Sequence, residues 1–141
     1  MTLTLNMARK LADHCLLRAG ELGLKPLTVA VLDAGGALVV LLRQDGTSLL
    51  RAEIAQGKAR GAVAMGLGSR ALFNRAQEQP YFIQSMNALA DGSLVPVPGG
   101  VLIRDQGGII GAIGITGDSS DNDEACAVHA IEALGLSADP G

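Results

Sequence analysis

With 141 residues, 48 % of them apolar and only 2 % aromatic, the chain has room for one aliphatic core and little else. Its net charge is −3, its lysines and arginines are scattered and stacking aromatics are nearly absent, which excludes a nucleic-acid surface. No apolar run reaches membrane-span length, and the N-terminal MTLTLNMARKLADHC lacks the apolar stretch of a secretory signal.

Two cysteines, Cys15 and Cys126, make no disulfide framework and fit reduced thiols in the cytoplasm. A mean hydropathy of +0.32 is high for a small monomer and implies apolar surface covered by another subunit.

In chain order, Met7, Leu11, Cys15, Leu16 and Leu22 recur at helical spacing over residues 6–22, with Asn6 as the expected N-cap and Gly23 as the stop. The runs 27–33 and 37–43, joined by Ala34-Gly35-Gly36, read as a β-hairpin. Residues 49–67 return to helical spacing. Gly57 and Gly61, four apart inside that helix, let another backbone or a ligand come close, at a cost of about 1 kcal/mol each relative to alanine.

Ser69 is placed to cap a short helix over 70–77, and Pro80 opens another over 81–90 with Phe82, Met86 and Leu89 on one side. Residues 91–100 form a loop. VLIRD and GIIGAIGIT read as a second hairpin turning at Gln106-Gly107-Gly108, where Gly111 and Gly114 mark a bulge or a close backbone approach. The run DNDEACAVHAIEALGL is a final helix capped by Asp121 or Asp123. This order predicts a single α+β domain over 1–141, an antiparallel sheet of hairpins flanked by helices.

The glycine-rich stretch from residue 98 has neither the P-loop pattern nor the dinucleotide fingerprint, and its hairpin context is wrong for both. Pro98-Gly99-Gly100 stays open between an ordinary turn and a nest in which Gly99 and Gly100 present N–H groups to an anion. Asp118, Asp121, Asp123 and Glu124 lack EF-hand spacing. Caps and first-turn acids account for most of them, while Asp123 or Glu124 could also serve as a general base.

Arg43 and Asp45 are either an exposed ion pair or the rim of a pocket where Arg43 grips a carboxylate. Lys58, flanked by small apolar residues, is either a snorkelling surface lysine or a desolvated one, able to act as base, Schiff-base former or anion ligand. Cys126 and His129 lie three apart on the last helix, a combination able to ligate haem iron or a soft metal but too small for a closed zinc site. His14 and Cys15, being adjacent, point to different faces. No metal site is assigned. Ser69 lacks an evident His and acid partner, so serine hydrolase chemistry is unsupported.

Three stretches, VAVLDAGGALVVLLRQDG (29–46), AEIAQGKARGAVAMG (52–66) and PGGVLIRDQGGIIGAIGITGDSSDNDEACAVHAIEAL (98–134), resemble in order and spacing the GlcG/HbpS family, which also occurs as the C-terminal domain of PduO-type corrinoid adenosyltransferases. The resemblance implies an α/β/α, profilin-like domain and homo-oligomers, dimer-based and up to octamers. Some members bind haem; others accompany corrinoid, glycolate or aromatic-catabolism enzymes, and one relative is a hydroxylaminobenzoate lyase. It further implies that the PGG turn lies beside a pocket. Lys58 matches the family's helix motif, Asp123 and Glu124 its acidic pair, and Arg43 and Asp45 its hairpin end.

Two function classes follow. In the first, the chain binds a small ligand, haem or a related tetrapyrrole. In the second, it is a cofactor-independent lyase or isomerase acting on a carboxylated, including aromatic, catabolic intermediate. There Arg43 would hold the carboxylate, Lys58 serve as acid/base, and Asp123 or Glu124 move the second proton. A third option is an accessory protein without catalysis. The charged groups favour a carboxylate ligand, the scarcity of aromatics counts against haem, and the resemblance pulls back towards it.

Overall fold

The computed structural model describes residues Met1–Gly141. The elements are α1 (Leu5–Leu22), β1 (Thr28–Asp33), β2 (Leu38–Arg43), α2 (Arg51–Met65), α3 (Ser69–Glu78), α4 (Pro80–Leu89), β3 (Gly100–Asp105), β4 (Gly108–Thr116), α5 (Ser120–Ala133) and β5 (Ser137–Asp139). The strands form one sheet in the order β2-β1-β4-β3-β5, antiparallel throughout, so the expected α+β architecture is the one adopted.

Both hairpins form where the turn chemistry demands. In the first, the Asp33 carboxylate accepts the N–H groups of Gly35 (3.0 Å) and Ala37 (2.9 Å), and Gly36 takes φ +84°. In the second, Gln106 and Gly107 both lie at positive φ, which a type I′ turn requires. A register shift between Ile103 and Arg104 puts a bulge in β4 beside Gly111.

Alternation along the strands separates two cores. Val29, Val31, Val101, Ile103, Ile113 and Ile115 point towards α1 and α5, meeting Leu11, Cys15, Cys126 and Ile131. Leu32, Leu102 and Ala112 point the other way, towards Ala59 and Ala62 of α2. A third cluster, Leu72, Ile83 and Leu94, joins α3 and α4 to the loop after them.

The separation between α2 and the sheet is set by glycines of the sheet. Gly100 and Gly114 are cross-strand partners, and a Cβ on either would strike a backbone carbonyl of α2, that of Lys58 or Ala55 respectively. Gly57 and Gly61 of the helix instead receive Leu94 and Val95 of the loop after α4.

Several boundaries differ from expectation. The α1 N-cap is Thr4, whose hydroxyl accepts from the Met7 N–H, rather than Asn6, which falls inside the first turn. Ser69 is not a cap: Gly68 holds that position, and the Pro140 carbonyl accepts the Arg70 N–H. On α4 it is Ile83 that is buried, while Leu89 is 80 % exposed. The last helix is capped by Ser119, not by Asp121 or Asp123, and it stops at Ala133 so that residues 137–139 can pair with β3.

Two glycine substitutions should separate these roles. Gly114→Ala forces α2 off the sheet and should cost about 3 kcal/mol in urea unfolding. Gly20→Ala, in α1 with nothing within 4 Å of the added methyl, should stabilise by roughly 1 kcal/mol in the same assay.

Candidate functional site

Lys58 leaves α2 on the side facing the sheet and is 2 % exposed. Its Nζ donates to the Ile115 carbonyl at 2.8 Å and lies 3.4 Å from Asp123 Oδ2. Asp123, in the first turn of α5 and 1 % exposed, accepts the Asp118 N–H on its other oxygen at 3.1 Å. The PGG turn closes over this pair. Gly99 adopts φ +124°, and a Cβ there would crowd the lysine stem, so only glycine lets the turn pass. The Gly99 carbonyl accepts from the Ile115 N–H, and the Gly100 N–H is committed to the buried Ser69 hydroxyl at 2.7 Å.

Burial works on both charges. It lowers the Lys58 pKa, with Asp123 opposing and the nearby Arg51 guanidinium reinforcing. It raises the Asp123 pKa, with Lys58 opposing. Each group is thus displaced towards its neutral form.

The structure therefore brings Lys58, Asp123, Gly99 and Gly100 into one cluster. Glu124 sits on the neighbouring face of α5, where its carboxylate accepts from Arg70 Nε at 2.8 Å; Arg70 also holds Asp121. Arg43 and Asp45 are exposed at the edge of the sheet and line a separate cleft with Leu24, Pro26 and Gln44. They make no ion pair with each other; Arg43 Nη2 donates to the Thr47 carbonyl instead. Strand order puts Arg43 two strands from Thr116, on the order of 10 Å. None of the five main clefts is lined by Lys58 or Asp123.

Asp118 accepts from the Lys25 N–H, the Ser119 N–H and the Asn122 side chain, which hold its carboxyl down at about 2. Cys126 is wholly buried and pushed up to about 11 by burial, and burial raises Cys15 as well, so both are thiols at neutral pH. His129 is exposed while Cys126 faces the core, so the two do not converge on a common ligand position. No three His, Cys, Asp or Glu side chains cluster as a metal site.

Sequence reasoning did not find Ser69 as the acceptor for the PGG turn, Arg70 as the clamp between α3 and α5, or the 2.7 Å hydrogen bond from Arg51 to Thr116. All three depend on how α2 and α3 lie on the sheet, which no local spacing encodes.

Residues 3–132 match the family described as haem degrading protein HbpS-like. Corrinoid adenosyltransferase PduO of Citrobacter freundii is 29 % identical over 136 residues, 96 % of this chain, and the chain spans about 40 % of that relative's length. Among solved structures, a PduOC–haem complex is 29 % identical with a TM-score of 0.87, over 97 % of this chain and 98 % of that one. HbpS is also 29 % identical, with a TM-score of 0.83, over 96 % and 92 % of the two chains.

The buried pair makes a prediction by cycle. Lys58→Met strands the Asp123 carboxylate and should destabilise by about 3–5 kcal/mol. Asp123→Asn added to it keeps an acceptor for the Asp118 N–H and should restore much of that loss. The sign in pH is set by Asp123, whose folded pKa lies above its ordinary 3.8. Its contribution is present below 3.8 and lost as pH rises through the folded value. Urea unfolding of Lys58→Met should therefore weaken with rising pH across that window, and the double variant should lose that slope.

Proposed function

The chain belongs to the HbpS-like family, and from that footing we propose that it binds a small ligand of the haem or tetrapyrrole class. The observation that carries the reading is the match, over nearly the whole of both chains, to a relative whose structure is a complex with haem. The donor set fits. With both thiols buried and neutral, the imidazole donors for iron are those of His14, half-buried on α1, and His129, exposed on α5.

His14 has the better surroundings. Leu17, one turn further on, is 64 % exposed and offers an apolar face, and Lys10 and Arg18, one turn to either side, offer cations for acidic substituents. When bound, haem would supply iron redox or gas-ligand chemistry; the chain's own part is to hold the iron and shield the ring. The exposed Leu49, Leu50, Tyr81 and Leu89 support assembly into homo-oligomers that cover them.

A second reading, acid–base chemistry on a carboxylated catabolic intermediate, is favoured by one observation. Lys58 and Asp123 adjoin and are both displaced towards neutrality, as a proton-moving pair must be. It requires the PGG turn to open.

Haemin titration followed at the Soret band tests the first reading. Saturable one-to-one binding with a sharp, shifted band is expected, abolished by His14→Ala, retained in Lys58→Met and unaffected by His129→Ala. A broad response that never saturates would overturn it. Binding untouched by His14→Ala would overturn the ligand assignment.

A further inference from the structure

The outer side of α2 is unlike an ordinary solvated helix face. Along Arg51–Met65 the only charged side chains besides the buried Lys58 are Arg51, Glu53 and Arg60, and small or aliphatic residues fill most of the rest. A helix that is apolar nearly all round is ordinarily covered nearly all round. One side of α2 is covered by the sheet, through Ala59 and Ala62, and a second by Leu94 and Val95, which rest on Gly61 and Gly57. The remaining face carries Glu53, Gln56, Arg60 and Ala64, spaced three and four apart. Leu49 continues it at the helix entry, 82 % exposed, with Leu50 beside it, 62 % exposed.

Along this face runs a cleft of about 440 Å³ between α2 and the loop after α4, walled by Leu50, Glu53, Ile54, Arg60, Asp91 and Val95 among others. Neither Glu53 nor Arg60 takes part in any of the molecule's ion pairs. Two helical turns, about 10 Å, keep them from pairing with each other. A second copy removes that obstacle. A two-fold axis passing between Gln56 and Gly57 sets two α2 helices antiparallel. It places Glu53 opposite the partner's Arg60, Arg60 opposite the partner's Glu53, and Leu49 opposite the partner's Ala64, all in one register. Both charged positions then lie about 5 Å along the helix from the crossing point, within side-chain reach at either common crossing angle.

We propose that this face is a homodimer interface in which the α2 helices of two copies pack antiparallel across a two-fold axis, the ridge of each in the cleft of the other. The proposal rests on the assembly reading given above and deepens it by fixing the face and the register. Charge identifies the occupant. The face carries one acid and one base at equal distances on either side of its midpoint, a pattern complementary to itself after a half-turn. Leu49 and Leu50 are covered at the two ends of the contact, and Asp91, on the far wall of the cleft, faces the same incoming ridge. His14 and His129 lie on α1 and α5, across the sheet, so the interface stands or falls separately from haem binding.

Sedimentation equilibrium of the full chain tests it. The wild type should sediment as a dimer or a multiple of one. Glu53→Arg and Arg60→Glu each set like charges opposite one another twice. Each should weaken association at least tenfold, or at least halve the mass of a larger assembly, with an unchanged circular dichroism spectrum. Mixed in equal amounts, the two variants should associate to within threefold of wild type, because each offers the charge that the other lacks. A substitution that merely damaged the fold would not be rescued by a partner. Association unchanged in both variants, or lost in both and not recovered on mixing, would overturn this interface and leave the assembly reading standing. A monomeric wild type would overturn both.

Discussion

One buried ammonium organises the α2 side of the sheet. Lys58 comes from α2, and its two acceptors come from β4 and from the first turn of α5. The turn over it comes from the loop before β3. A buried ion pair contributes little net stability compared with apolar packing, because desolvating two charges offsets most of their attraction. Its effect here is directional. The ammonium is satisfied only when helix, central strand, last helix and PGG turn converge, so an α2 slid by one turn along the sheet would leave a charge without a partner. The glycine pair Gly100 and Gly114 makes that convergence possible by letting helix backbone rest on strand backbone.

How much of this was legible beforehand divides along the range of the interactions. The two hairpins were readable because a turn is a local event: Ala34-Gly35-Gly36 and Gln106-Gly107 carry their own conformational demand. The small neighbours of Lys58 pointed to a desolvated lysine without excluding a snorkelling one, and nothing in the spacing chose Asp123 over Glu124 as the acid beside it. What could not be read was registry between distant elements. Nothing in the spacing says that Thr28 faces Thr116 across the sheet, that Arg70 spans to Glu124, or that residues 137–139 leave helical spacing to pair with β3. One cap shifted for the same reason, whereas Thr4 and Ser119 cap their helices through local bonds three residues long. Ser69 suits an N-cap by type, but a tertiary demand, the unpaired Gly100 N–H, claims its hydroxyl.

The two faces of the sheet carry different chemistry. On the α1 and α5 side lie the imidazoles and the thiols; on the α2 side lie the arginines and lysines around the end of β4. The sheet separates these environments over most of its area, but they meet at the start of α5, where Lys58 of α2 reaches Asp123 and Arg70 of α3 reaches Glu124. No helix is long and apolar enough to cross a membrane.

The two thiols have a practical meaning of their own. Cys15 and Cys126 come from helices that pack together, share one core cluster and have no exposed surface. A reagent that attacks thiolates meets neither while the helices stay closed. Their alkylation rate is therefore a clock for the parting of α1 from α5, a motion invisible to probes of the sheet. The chain carries its own gauge of how often that layer breathes, with no label added and no residue replaced.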